Sequence, residues 1–139
     1  MQSNSRIVDV ALAATMAMAP PAGAQARTVG VELNRLEQVD GSCRGYFVFR
    51  NGFAEPVETL DLDVFLFDAE GVIRQRVALA SGRLEPGKTH VRIFELPDIA
   101  CDDIGRVLLS DVMECGLSGG DGCGPAVEVS SRAGVPFED

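Results

Sequence analysis

The sequence is poor in the residues from which most metal and redox sites are built. It has one histidine, His90, and no tryptophan, and none of its four cysteines falls in a C-x-x-C motif. A single histidine excludes most histidine-based metal sites, and isolated cysteines argue against a redox or zinc role. We therefore expect no cofactor and no metal.

Basic residues are also scarce. There are 12 Lys+Arg against 21 Asp+Glu, a net charge of −9 in 139 residues. Binding to nucleic acid or to an anionic membrane needs a basic face, so neither is an expected partner. Hydrophobic residues make up 46% of the chain, which is too many for a disordered tail.

The first 26 residues resemble a secretory signal peptide. Arg6 precedes a run of small apolar residues, and Ala24-Gln25-Ala26 forms an A-x-A site, which predicts cleavage before Arg27. The run is too short to span a bilayer, so we expect no membrane span after cleavage. The signal predicts a periplasmic or secreted protein, with one domain at 27–139 and a C-terminal tail at 130–139 that could fray.

The rest of the chain has the pattern of short strands. Apolar residues alternate with period two, and turn residues interrupt them every ~8–12 positions. The predicted strands cover 29–33, 43–49, 60–66, 72–79, 91–96, 104–113 and 127–129. About seven antiparallel strands in a domain of this size predict an all-β, immunoglobulin-like β-sandwich.

One hairpin allows a prediction of register. The segment 68–71 has Asp at its first and Gly at its last position, as in a type I turn. Closing the hairpin on that turn puts Asp63 opposite Arg76 and Phe65 opposite Arg74. The side chains of 60, 62, 64 and 66 then share the core face.

Four cysteines allow three pairings, and the strand order favours one. Cys43 begins the second strand and Cys101 precedes the sixth, which runs in the same direction, so both lie at one end of the sandwich. Cys115 lies about 30 Å away at the other end of the sixth strand, and Cys123 returns there on a short loop. We therefore predict the disulfides Cys43–Cys101 and Cys115–Cys123.

Phe65 and Phe67 point away from the predicted core. Either a neighbouring strand, a loop or stacking by Arg74 covers them, or they mark a surface for a partner. We take Phe65, Phe67 and Arg74 as the candidate interaction surface.

Two features support alternative functions. His90 could serve a small periplasmic hydrolase together with a serine or a carboxylate. The loop 116–122, with Gly119-Gly120-Asp121-Gly122, could bind calcium, although calcium needs six or more oxygen ligands.

The middle of the chain resembles the FxLYD-type domain of bacterial exported proteins, an immunoglobulin-like module. The resemblance covers about residues 43–96 and rests on three segments, which are Gly45-Tyr46-Phe47-Val48-Phe49-Arg50-Asn51, Val64-Phe65-Leu66-Phe67-Asp68 with Gly71, and Pro86-Gly87. The chain is also similar to small alphaproteobacterial exported proteins of unassigned function. These are turn and core residues, so the resemblance implies a fold and assigns no catalytic residue.

These observations together predict an exported, acidic, disulfide-braced module that is not an enzyme. We expect it to bind another protein or an envelope component, because sandwiches braced in this way are common binding scaffolds.

Overall fold

The computed structural model describes residues 2–3, 7–18, 27–123 and 126–139. The predicted A-x-A cleavage site lies outside these residues. Residues 7–18 carry neither helix nor strand, and their side chains are exposed. Nowhere in the described ranges is there a helix long and apolar enough to cross a membrane.

The strands form two four-stranded sheets. In chain order they are β1 (Val29–Val39), β2 (Ser42–Asn51), β3 (Val57–Phe67), β4 (Ile73–Ala80), β5 (Thr89–Leu96), β6 (Arg106–Leu117), β7 (Val127–Ser131) and β8 (Phe137–Glu138). Sheet one has the order β5-β2-β1-β7, and sheet two has the order β4-β3-β6-β8. A single turn of 3-10 helix, Cys101–Asp103, precedes β6.

The all-β sandwich is confirmed, with a correction to its strands. Eight strands are present in the described residues, and the pairs β1–β7 and β6–β8 are parallel, whereas about seven antiparallel strands were expected. β1, β2 and β5 lie where strands A, B and E of an immunoglobulin domain lie, and β3 and β6 take the places of C and F. The last part of the chain runs along both sheets, which accounts for the eighth strand.

The core lies between the sheets, because alternate residues of each strand point inward. Phe47 of β2 packs edge-on against Phe94 of β5 and Phe137 of β8, with ring centroids 5.6 and 5.8 Å apart. Phe49 of β2 is also fully buried. The remaining large buried side chains are aliphatic residues of both sheets and their loops: Val29, Val31, Leu33, Leu60, Leu62, Leu66, Leu79, Leu84, Leu96 and Ile99.

Both disulfides join the cysteines that the strand order pairs. Cys43–Cys101 links β2 to the 3-10 turn before β6, with the Cα atoms 4.8 Å apart and a sequence separation of 58. Cys115–Cys123 closes a short loop at the far end of β6, with a sequence separation of 8. The first disulfide ties the two sheets together, and the second holds only a local loop.

Asn51 is a buried polar residue that holds one end of the sandwich together. Its side-chain amide donates to the carbonyls of Glu55 at 2.8 Å and Leu84 at 3.0 Å. Its side-chain oxygen accepts a hydrogen bond from the backbone N–H of Phe53 at 2.8 Å. The asparagine of the FxLYD-like pattern therefore has a structural role in this chain, because it satisfies backbone groups of two loops.

The register predicted for the β3–β4 hairpin is wrong by two residues. Phe65 pairs with Arg76 and not with Arg74, and Asp63 pairs with Ala78. The assignment of faces survives, because a shift of two residues leaves every side chain on the same side of the sheet.

The turn explains this shift. Asp68 accepts hydrogen bonds through its carboxylate from the backbone N–H groups of Glu70 and Val72, at 3.0 and 2.9 Å. Gly71 has φ of +79°, a left-handed conformation that favours glycine. Val72 thereby stays in the turn, and a bulge beside Phe67 takes up the remaining offset.

The C-terminal tail is packed against the sandwich, in contrast to the expectation that it could fray. Phe137 is 5% exposed, and β8 pairs with β6 through Val107 and Leu108. The backbone N–H of Val107 also donates to the carbonyl of Pro136 at 2.9 Å. The aromatic side chain near the end of the chain completes the core, which is why the tail is ordered.

Candidate interaction surfaces

Phe65 and Phe67 point outward from sheet two and are half-buried beneath arginines. The guanidinium of Arg76 lies 5.6 Å from the centre of the Phe65 ring, and that of Arg106 lies 4.2 Å from the Phe67 ring. Cation–π contacts of this kind shield an aromatic face from water. Arg74 approaches Asp68 instead, at 3.9 Å.

Arg76 is held over the Phe65 ring by an ion pair with Asp63. Its Nε donates to one carboxylate oxygen at 2.7 Å and its terminal nitrogen to the other at 3.0 Å. The hydrogen bond that Arg76 donates to the Asp63 carboxylate raises the pKa of Arg76. The predicted Asp63–Arg76 pair therefore exists, although the two residues are diagonal neighbours and not directly opposite.

An open apolar surface lies on the outer face of sheet one. Val91 and Ile93 of β5 are 54% and 55% exposed. They pair directly with the half-buried residues Val48 and Tyr46 of β2. We call these four side chains the β2–β5 patch. Beside it, Gly30 leaves a shallow depression of about 110 Å³.

Charged residues surround the β2–β5 patch. Arg44 donates to Glu95 at 2.7 Å at one end, and Arg132 donates to Glu32 at 3.0 Å on the β1 side. Hydrogen bonds from Asn34 and then Arg132 lower the pKa of Glu32. An apolar centre with a charged rim is the usual anatomy of a protein–protein contact.

Sequence reasoning missed the β2–β5 patch. The alternation of Val91 and Ile93 with Arg92 and Phe94 indicates a strand, but either set could have faced the core. The sequence does contain a signal, since Phe94 is the larger apolar side chain and lies on the same face as Leu96. The patch itself also depends on the pairing of Val91 with Val48, which only the fold supplies.

His90 has a structural contact in this fold. Its Nε2 accepts a hydrogen bond from the backbone N–H of Glu85 at 3.1 Å, across the turn that precedes β5. Among the described residues, neither a serine nor a carboxylate side chain hydrogen-bonds to the ring. The geometry therefore does not assemble the pair that the hydrolase alternative needs.

The segment 116–120 also matches G-x-S-x-G, the motif of a nucleophile elbow. A nucleophile elbow needs a strand, a sharp turn and a helix, so that the serine stands over a helix N-terminus. Here Ser118 follows the end of β6 in a hairpin turn, and its backbone N–H donates to the carbonyl of Pro56 at 3.0 Å. The motif therefore lacks the structural context of a nucleophile.

The proposed calcium loop is held by hydrogen bonds within the chain. Gly119 donates its N–H to the carboxylate of Glu55 at 2.9 Å. The carbonyl of Asp121 accepts from the N–H of Leu117 at 2.7 Å. The described part of the chain brings together no group of three or more His, Cys, Asp or Glu side chains that could hold a metal ion.

Comparison with known proteins adds information on the fold alone. No family model and no curated protein matches the chain. Among solved structures, IrmA from Escherichia coli superimposes with a TM-score of 0.54 over 79% of this chain and 95% of that chain, at 12% sequence identity. At this identity the similarity supports the β-sandwich architecture and carries no information about function.

Proposed function

We propose that the protein is an exported, non-enzymatic binding module of immunoglobulin-like fold whose partner is another protein. The observation that carries the proposal is the β2–β5 patch, in which Val91 and Ile93 are each more than half exposed inside a rim of ion pairs. A partner that covers the patch would remove this apolar surface from water. An envelope component with an apolar face is the second occupant that this surface would accept.

The two disulfides support an extracytoplasmic location. Disulfides persist in oxidising compartments, and all four cysteines of this chain are paired. The signal-like N-terminus supports the same assignment, which is periplasmic or secreted.

The contacts of His90 and Ser118 support a non-enzymatic role. The acceptor nitrogen of His90 is used by a backbone N–H, and Ser118 lies in a hairpin turn. Phe65, Phe67 and Arg74 remain a predicted interaction surface. The rings of Phe65 and Phe67 are half-buried beneath arginine side chains, so this surface offers less free apolar area than the β2–β5 patch.

Site-specific photo-crosslinking in the cells that export the protein tests the proposal. A photoreactive residue at Ile93 should yield a discrete adduct with a different protein, identified by mass spectrometry. The same residue at Ser110, which is exposed on the other sheet, should yield none.

A matched pair of valine variants provides the specificity control. Val91→Glu should abolish the adduct, because it places a charge in the apolar centre. Val72→Glu should leave it intact, since Val72 is equally exposed, at 56% against 54%, but belongs to the β3–β4 turn. An adduct that survives Val91→Glu, or one that forms equally from Ser110, would refute the proposal.

A further inference from the structure

The outer edge of β4 is open. β4 is the terminal strand of sheet two and runs for eight residues, Ile73–Ala80. The corresponding edge strand of sheet one, β5, carries an inward-pointing charge, Arg92, which donates to the carbonyl of Val91 in β5 at 3.2 Å and to that of Ser81, the residue after β4, at 2.7 Å. Inward-pointing charges are a common means of blocking an edge strand, and no charged residue points inward from β4.

The outward side chains of β4 differ between its two halves. Arg74 and Arg76 occupy the first half, and the exposed Ala78 and Ala80 occupy the second. Behind the alanines on β3 are two carboxylates, because Ala78 pairs with Asp63 and Ala80 pairs with Asp61. One half of the strand is therefore cationic, and the other half is small and backed by acid.

An antiparallel partner with the same sequence matches this arrangement. If two copies of β4 pair about a two-fold axis through Val77, Arg74 lies opposite the second copy's Ala80, and Arg76 lies opposite its Ala78. The strand spacing puts the second copy's Asp61 about 10 Å from the backbone of Arg74. The extended side chain of Arg74 can reach over the second copy's Ala80 and cover most of that distance. The side chain of Asp61 covers the rest.

The charges available in one copy favour this contact. The 3.9 Å separation of Arg74 from Asp68 is the longest ion pair in the described structure. Asp61 has no ion pair within the described ranges and lies directly opposite Glu114, a like-charge pair that destabilises a sheet. Arg74 of a second copy, placed beside Asp61, would compensate the repulsion between Asp61 and Glu114.

We propose that a second copy of this chain adds to the edge of β4, antiparallel and centred on Val77, so that two four-stranded sheets become one continuous sheet. The interface is isologous, as expected for a homodimer. It lies on sheet two and leaves the β2–β5 patch on sheet one free, so the dimer and the proposed partner binding are independent.

Sedimentation velocity of the purified, disulfide-bonded protein tests the dimer. The wild type should show a concentration-dependent equilibrium between monomer and dimer that weakens as salt is added. Ala80→Arg should weaken the dimer by about tenfold or more, because two arginines then face each other at both ends of the interface. Thr89→Arg, which adds the same charge to exposed β5, should leave the dimer unchanged.

The register can be tested by charge exchange. Arg74→Glu combined with Ala80→Arg restores opposite charges across the axis, so the double variant should dimerise again. In the wild type, hydrogen exchange of the β4 amides should slow as concentration rises, and that of the β5 amides should not.

A wild type that remains monomeric at all concentrations would overturn the proposal. So would a dimer that Ala80→Arg and Thr89→Arg weaken equally, or concentration-dependent protection of β5 in place of β4. A double variant that stays monomeric would overturn the register centred on Val77. None of these results alters the crosslinking at Ile93, so the two proposals fail separately.

Discussion

The apolar side chains on the outer faces of the two sheets differ in how much of their surface is exposed. On sheet one, Val91 and Ile93 are more than half exposed, and the neighbouring arginine Arg44 is bound to Glu95 at the rim. On sheet two, Phe65 and Phe67 are larger side chains, yet both are half-buried. The difference lies in which side chains the arginines cover, because on sheet one Arg35 stacks on the ring of Tyr46 and leaves Val91 and Ile93 uncovered.

On sheet two, each covering arginine is fixed by a carboxylate. Arg76 is bound by Asp63, and Arg106 lies 3.3 Å from Glu138 of the C-terminal strand. Anchored in this way, their aliphatic stems and guanidinium groups lie across the rings. An outward aromatic residue is therefore not by itself an interaction site, because ion pairs on adjacent strands decide whether it is free.

The largest effect expected from this comparison is on stability. Phe67→Ala should lower the free energy of unfolding by about 1–2 kcal/mol, because the ring is half-buried and stacked by Arg106. Ile93→Ala should change it by less than about 0.5 kcal/mol, since Ile93 has no cover. Urea denaturation of the two variants measures both values, and equal losses would contradict the distinction between the faces.

A smaller effect is expected at the arginines themselves. Arg76→Ala should cost about 1 kcal/mol or somewhat more, because it leaves the Asp63 side chain, which is only 10% exposed, without its partner. Arg74→Ala is the matched control and should cost less than about 0.5 kcal/mol, because its ion pair is long and exposed. If both variants unfold at the same denaturant concentration, the anchoring of Arg76 does not matter to stability.

Some parts of this fold follow from local sequence pattern. The pairing of Cys43 with Cys101 needs only strand order and direction, which follow from the immunoglobulin-like sandwich that the period-two pattern predicts. The faces of β3 were predicted correctly for a similar reason, since side-chain direction depends on parity. The register of β3 against β4 was not, because Gly71 and the Asp68 carboxylate keep Val72 in the turn.

The candidate site is harder to predict from the sequence than the fold is. The β2–β5 patch requires Val48 and Val91 to be neighbours, although 43 positions separate them, and it requires β5 to be an edge strand. The cover over Phe67 depends on Glu138, near the end of the chain. Contacts of this range depend on the closed sandwich, so a pattern within one segment cannot reveal them.

The smallest effect concerns the rim of the β2–β5 patch at acid pH. The pKa of Glu32 is lowered in the folded protein, first by the hydrogen bond from Asn34 and then by that from Arg132. A carboxyl group whose folded-state pKa is depressed contributes stability above its ordinary value of 4.5, and loses that contribution as the pH falls through the depressed value.

Glu32→Gln removes this contribution. At neutral pH the variant should be less stable than the wild type by at most about 1 kcal/mol, because the Arg132 side chain of the pair is largely exposed. The difference should shrink as the pH falls below 4.5 and disappear once Glu32 is protonated in both the folded and unfolded states. Thermal unfolding of both proteins from pH 7 to pH 3 would follow this convergence. A difference that persists unchanged at pH 3 would instead assign Glu32 a packing role, and would make the rim of sheet one as structural as the ion pairs of sheet two.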